Sequence, residues 1–436
     1  MTRARKLLLA TTAGLAILFA GAARGAPAQD QAGPAPTVAT VMADYNTAAT
    51  EHLKQVSADF NKGQPKGAAP IVYIDYDQVV TWAQLQGDNP KAYEKAIGDY
   101  LKAKTGRVFD DQTIEKVFNA MNAQQPAALT PNDGVAGACI VVPEYPGSSF
   151  DSYYAAGFQI GDKLLLKDKV VTLNLSSQEF ADFAVSHESW HCFDIRYRDD
   201  TGSGLAGAVK DNRAEMFADI GGVMERIRAG ADVSLIDKIA AERATWVYVT
   251  GHARTQLPEN DPGRYMSIVY NTHPGLYALK ARIAEMGLDN FRKLSRDQMR
   301  DLDYEITDAH ALNFLQAAGL QGFYTSGKAP VGIQSDVAQL KSIADKSLRR
   351  ATRQEIAARA AENAAPAAGA SLTEQIRSRA AALGDAGSLA NQLKARKELT
   401  DSLRQKLSGA PAGGGTQNLV NELFLSSPRL PAKGGG

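Results

Sequence analysis

The chain has 436 residues, of which 44% are hydrophobic, so it is long enough to bury a sizeable core and to form two or three domains. Its 48 basic and 48 acidic residues balance, which argues against nucleic acid or another polyanion as a partner of the whole protein.

The N-terminus has the form of a secretory signal peptide. Basic residues precede a short apolar run over residues 7–20, and small residues follow it. The run is shorter than the roughly 18–20 residues that a membrane-spanning helix needs, although an uncleaved anchor helix is the alternative. We expect residues 1–28 to be removed and the mature protein to be periplasmic or secreted from a bacterium.

The next segments mix helical patterns with short strand patterns. Apolar runs rich in β-branched residues predict strands at 71–76 and 137–145, and alternation predicts an edge strand at 170–175. We therefore expect a mixed helical N-terminal region over residues 29–136, followed by a second domain over residues 137–335.

Ser176 is predicted to begin the helix that carries the most informative motif. Glu179 follows three residues later, which is the pattern of a capping box. This helix contains the sequence HESWH, so His187 and His191 lie one turn apart on one face and can bind the same ion. Glu188 lies beside them, where a carboxylate can accept a proton from metal-bound water. The alternative is a helix that merely carries two histidines.

A third ligand decides between these interpretations, and the chain offers several candidates. Asp194 follows on the same helix, while His252 and His273 lie in or beside loops. Glu215 lies on the next predicted helix, and Asp219 is one turn after it. A glutamate oxygen suits zinc, and a nearby aspartate can accept the other ring N–H of a ligating histidine. A charged helix face is the alternative, but unpaired acids on this otherwise apolar helix would be costly.

The sequences HESWH and NRAEMFAD together resemble the gluzincins, zinc metallopeptidases with two histidines from HExxH and a glutamate from a second helix. The similarity includes the E-x-x-x-D pattern of that second helix and covers roughly residues 170–222. It implies a Zn2+ ion and a peptide or protein substrate. The residues that it implies are the ligands His187, His191 and Glu215, the general base Glu188, and Asp219 as support for a ligating histidine.

The later sequence NTHPGLYALKAR resembles the same group less closely. Some members carry a His-Pro followed by an arginine, and a late histidine can donate to the oxyanion of the tetrahedral intermediate. The resemblance implies His273 in that catalytic role, with Arg282 a weaker match in spacing. Tyr270 and His252 are alternative donors, and a residue that only stabilises a helix start is the structural alternative for His273.

Two further features remain open from the sequence. Cys139 and Cys192, the only cysteines, can form one disulfide in an oxidising compartment or pack as two buried thiols. The last segment, residues 336–436, is rich in alanine and arginine, and basic residues outnumber acidic ones 15 to 8 from residue 341 onward. We expect a helical and disordered, solvated tail, with contact to an anionic membrane surface as the alternative.

Together these patterns predict an exported α+β protein with a mostly helical, zincin-like metallopeptidase core. A small sheet is expected, with its edge strand directly before the active-site helix, and a helical C-terminal tail. The predicted function is hydrolysis of peptide bonds by a zinc-bound water that Glu188 activates. The alternative is a non-catalytic envelope protein in which a structural zinc ion or a salt-bridge cluster joins two helices.

Overall fold

A computed structural model describes residues 48–85, 90–123, 126–131, 135, 137–143, 159–160, 163–166, 168–173, 175–197 and 203–353. The chain in these ranges is mostly helical with a small sheet, so its class is α+β. The predicted signal peptide and residues 354–436 of the predicted tail lie outside the described residues. Within the described ranges, no helix has the length and apolar character of a membrane span.

The elements follow one another along the chain with most of the strands in the first part. The first half contains α1 (Ala48–Lys62), β1 (Ile71–Tyr73), α2 (Tyr76–Leu85), α3 (Pro90–Thr105), α4 (Asp111–Ala123), β2 (Ala127–Leu129), β3 (Cys139–Val142), β4 (Gln159–Ile160), β5 (Lys163–Leu164) and β6 (Lys169–Val171). The second contains α5 (Ser177–His191), α6 (Gly204–Arg228), α7 (Ser234–Arg254), α8 (Met266–Val269), α9 (His273–Met286), α10 (Leu288–Phe291), α11 (Arg296–His310), α12 (Phe314–Ser326), α13 (Gln334–Ser347) and β7 (Leu348–Arg350).

The three-stranded sheet separates two hydrophobic cores. Its central strand β3 runs parallel to β1 and antiparallel to β2. Successive side chains on a strand point to opposite faces, so Cys139 and Val141 join the core of the later helices, and Ile140 and Val142 join the core of α2 to α4. The sheet thus spans the predicted boundary at residue 137, because β1 and β2 precede that boundary and β3 follows it.

A second, two-stranded sheet lies next to the start of α5. The strand predicted at 170–175 is found as β6, and it pairs antiparallel with β7 rather than with the three-stranded sheet. The last ladder contact is the bond from the Thr172 N–H to the Ser347 carbonyl, after which the chain turns into α5. Residues 336–350, assigned to the tail by composition, are packed in this region, since Leu340 of α13 is fully buried against the helical core.

Helix α5 is the central helix of the larger core, and it is tied to the sheet at its C-terminal end. Every residue from 183 to 190 is buried. Cys192 caps the helix and forms a disulfide with Cys139 of β3, with 5.7 Å between the Cα atoms. One turn earlier, the hydroxyls of Ser189 and Tyr73 are 2.7 Å apart and hydrogen-bond. The disulfide therefore forms, and the alternative of two free thiols is wrong.

Removing this disulfide is expected to destabilise the protein. The bridge closes a loop with a sequence separation of 53 residues, and the loss of loop-closure entropy for that length corresponds to about 4 kcal/mol. We expect the Cys139→Ala/Cys192→Ala variant of the mature chain to lose about that free energy of unfolding in urea. Reductant should lower the midpoint of the wild type and leave that of the variant unchanged. Equal stability of variant and oxidised wild type would contradict the prediction.

Candidate metal centre

The site begins with the two histidines at the end of α5. The predicted capping box is present: Glu179 N–H bonds to the Ser176 hydroxyl, and Ser176 N–H bonds to the Glu179 carboxylate at 2.8 Å. The helix then runs without interruption through His187 and His191. Their Nε2 atoms are 3.2 Å apart, and their rings are nearly perpendicular at 89°. The helix therefore brings two imidazole nitrogens to one point, as the spacing predicted.

Helix α6 approaches α5 so closely that a pair of glycines is required between them. A Cβ atom at Gly222 would lie 2.9 Å from the backbone nitrogen of His187, and one at Gly221 would lie 2.1 Å from the Trp190 ring. Glycine inside a helix costs about 1 kcal/mol relative to alanine, and here it allows the two backbones to meet. This contact places the preceding turns of α6 opposite the histidines.

Two carboxylates lie next to the histidine nitrogens. Glu215 of α6 has its two oxygens 3.4 Å from His187 Nε2 and 3.6 Å from His191 Nε2. Glu188, which follows the first histidine on α5, has Oε1 4.0 Å from His187 Nε2. His187, Glu188 and His191 can also offer ligand atoms within 4.8 Å of one another. Glu215 is nevertheless closer to His187 Nε2 than Glu188 is, and it contacts both rings.

Asp219 contacts the opposite side of His187. Its Oδ1 atom lies 2.8 Å from His187 Nδ1, and the carboxylate is completely buried. Arg243 of α7 donates two hydrogen bonds to this carboxylate, at 2.7 Å and 2.8 Å, and the Thr272 hydroxyl donates a third. A ring whose Nδ1–H faces a carboxylate presents its Nε2 lone pair away from that carboxylate. Here Nε2 faces His191 and Glu215.

Burial and neighbouring charges shift the pKa values of these groups in opposite directions. Burial alone would lower the pKa of His187, but its contacts with Asp219 and Glu215 outweigh burial and raise that pKa to about 10. Burial raises the pKa of the Glu188 carboxyl to about 7, against the opposing effect of His187. Burial lowers the pKa of His191. For Glu215, burial is outweighed by His191 and His187, so its pKa is lowered.

The spacing of these donor atoms fits a zinc ion. Two nitrogens each about 2.0–2.1 Å from a tetrahedral zinc ion are about 3.3 Å apart, and the two Nε2 atoms are separated by 3.2 Å. Glutamate oxygens at similar bond lengths belong at about the same separation from these nitrogens, and those of Glu215 are at 3.4 Å and 3.6 Å. Each Glu215 oxygen is thus at about that separation from one of the two nitrogens, and the three groups could hold one ion.

The other candidate ligands make different contacts. Asp194 Oδ1 accepts hydrogen bonds from the backbone N–H groups of Arg196 and Tyr197, which shape the turn after α5. His252 Nδ1 lies 2.8 Å from the Tyr324 carbonyl oxygen. In the described part of the chain, neither Asp194 nor His252 forms an ion pair or hydrogen bond with the two site histidines.

His273 lies next to the network around Asp219. It is the first residue of α9, directly after Thr272, and only 3% of it is exposed. Burial lowers its pKa to about 4, so the ring is neutral at pH 7. Among the described residues its Nδ1 has no hydrogen-bond partner, and the ring packs edge-on against Tyr277. Arg282, by contrast, lies on the surface in ion pairs with glutamates of α9 and α11.

Arg243 and Thr272 are the parts of the site that the sequence analysis missed. Arg243 lies in the sequence KIAAERATWVYV, where a charged pair interrupts an apolar helix. An unpaired charge on a buried helix is costly, and this argument, which indicated Glu215 and Asp219, applies equally to Arg243. That signal indicates a buried ion pair but does not identify the partner. Thr272 has no comparable signal, because a threonine before a helix is common.

No protein-family model, no curated protein and no solved structure matches the chain.

The glycine contact between α5 and α6 generates a prediction. Gly222→Ala places a methyl group against the backbone of His187, which cannot move aside as a side chain would, so the two helices must separate. We expect a loss of about 1–3 kcal/mol in the free energy of unfolding, measured by urea denaturation. Gly98→Ala on α3 is the control, since its Cβ meets only the tip of Ile114 at 3.1 Å. Wild-type stability in Gly222→Ala would show that the two helices do not need a glycine at this contact.

Proposed function

We propose that the protein is an exported zinc-dependent metallopeptidase. The observation that carries the proposal is the convergence of His187 Nε2, His191 Nε2 and the Glu215 carboxylate, at separations of 3.2 to 3.6 Å. These three groups would hold the ion. When bound, zinc supplies a Lewis acid that polarises a substrate carbonyl and makes water a nucleophile near neutral pH.

Glu188 and His273 have the chemistry for the remaining steps. Glu188 is buried beside the ligands, and a carboxyl with a pKa near 7 can both accept and release a proton at neutral pH. We assign it as the base that takes a proton from the attacking water and then passes it to the leaving amine. Neutral His273 is assigned as a donor to the oxyanion of the tetrahedral intermediate.

The peptide substrate and the exported location have separate support. A peptide substrate is supported by the similarity of the HESWH and NRAEMFAD sequences to the gluzincins. Export is supported by the signal-like N-terminus and by the Cys139–Cys192 disulfide, since disulfides persist mainly in oxidising compartments. Neither feature identifies a particular peptide.

The role of Glu188 is tested by replacing its carboxylate with an amide of nearly the same shape. Glu188→Gln cannot take up a proton, so we expect peptide cleavage by the zinc-loaded protein to fall by at least about 100-fold, while zinc content stays at one ion per chain. Cleavage is measured on a quenched-fluorescence peptide library, and zinc by elemental analysis. Glu179→Gln is the control, because Glu179 caps the same helix at its far end. Cleavage by Glu188→Gln at the wild-type rate would overturn the assignment.

A separate observation supports a second candidate function. The raised pKa of His187 describes an imidazolium between the carboxylates of Asp219 and Glu215, and such a cluster can join α5 and α6 without any metal. In that case the protein is a non-catalytic envelope component in which the cluster is structural.

Glu215 distinguishes the two candidates. If it is a zinc ligand, Glu215→Ala should lose the ion, and EDTA should lower the melting temperature of the wild type but not that of the variant. If the cluster is structural, the purified wild type contains no zinc, EDTA has no effect, and Glu215→Ala is destabilised with or without the chelator. Elemental analysis and thermal unfolding of both proteins therefore separate the metal centre from the ion-pair cluster.

A further inference from the structure

The carboxylate of Asp219 is surrounded by donors from three other elements. Oδ1 faces His187 Nδ1 of α5 at 2.8 Å and accepts from Arg243 Nη2 at 2.7 Å. Oδ2 accepts from Arg243 Nε at 2.8 Å and from the Thr272 hydroxyl before α9. Each oxygen thus has two close polar neighbours, and the side chain is completely buried. A carboxylate bound in this way has a fixed plane as well as a fixed position.

Arg243 is itself held firmly from several sides. Its side chain is 13% exposed. The guanidinium lies over the Tyr270 ring, 4.9 Å from its centre, and Nε is 3.5 Å from the Glu242 carboxylate. Phe183 lies 6.0 Å away on α5, and the same phenylalanine contacts the His187 ring. These contacts therefore hold the guanidinium in one orientation, in addition to its contacts with Asp219.

We infer that Arg243 is a positioning residue for the metal centre, acting on His187 through Asp219. The inference rests on the proposed zinc site and assigns to that site a residue on α7, two helices after the one that carries the HExxH sequence. A planar guanidinium binds both carboxylate oxygens at once, whereas a lysine ammonium is a point charge that does not fix the carboxylate plane. With the plane fixed, Oδ1 stays directed at His187 Nδ1, and the ring keeps Nε2 directed at the ion site.

The measured quantity is zinc affinity, obtained on the mature full chain by competition with a chromophoric chelator. Loss of the group that contacts the other ring nitrogen of a ligating histidine typically weakens metal binding about 10- to 100-fold. We expect Asp219→Asn to fall in that range and Arg243→Lys to bind zinc about 10-fold more weakly than the wild type. Because Arg243 acts through Asp219, the double variant should bind no more weakly than Asp219→Asn alone.

A control arginine forms a partly buried ion pair with a different aspartate, away from the site. Arg226 of α6 donates to Asp182 of α5 at 2.6 Å, so it joins α5 and α6, whereas Arg243 joins α7 to α6. Arg226→Lys should keep zinc affinity within about twofold of the wild type, since it leaves the partners of the ligands intact. The absorption spectrum of the cobalt-substituted protein is a second readout. It should change in Arg243→Lys, where the His187 ring reorients, and stay unchanged in Arg226→Lys.

The outcomes separate this inference from the proposed function. A wild type that takes up no zinc overturns the proposed function, and the inference with it. A wild type that binds zinc with the same affinity and cobalt spectrum as Arg243→Lys overturns the inference alone. Thr272→Val removes another hydrogen-bond donor to Asp219 at nearly constant side-chain volume. It serves as the test variant if Arg243→Lys does not fold. Wild-type affinity in Thr272→Val would then count against the network, and a severalfold loss would support it.

Discussion

The contact between the backbones of α5 and α6 is the constraint on which the rest of the site depends. Where Gly222 meets His187, no side chain separates the helices. Positions one and two turns earlier on α6 therefore face the end of α5, and they are occupied by acids. A larger residue at the contact would set the helices farther apart, and Glu215 would no longer reach both histidine rings.

Three acids of helix α6 each have a different set of counter-charges in contact with them. Glu225 is bound by Arg296 and Arg228, which carry permanent charge. Asp219 is shared between an arginine and a histidine. Glu215 contacts only the two histidines among the described ion pairs. Among the described ion pairs, Glu215 thus differs from the other two acids in contacting no arginine.

The sequence was sufficient for the local parts of this arrangement and insufficient for the distant ones. The Ser176 capping box and the four-residue histidine spacing are encoded within one helix, so both were predictable. Glu215 was predictable because an apolar helix cannot bury an acid without a counter-charge. The partner of Asp219 was not, since Arg243 reaches it from another helix 24 residues later. Pairing of β6 with β7 links positions about 180 residues apart, which composition and periodicity do not encode.

The disulfide has a consequence for the sheet as well as for α5. Cys139 belongs to β3, whose alternate side chains fill two different cores. A slip of β3 by one residue would exchange the two faces of the strand and turn the cysteine away from Cys192. Once oxidised, the chain can therefore keep only one pairing of β3 with its neighbours. A covalent bond at the end of the histidine-bearing helix thereby also selects the strand register that builds the core of α2 to α4.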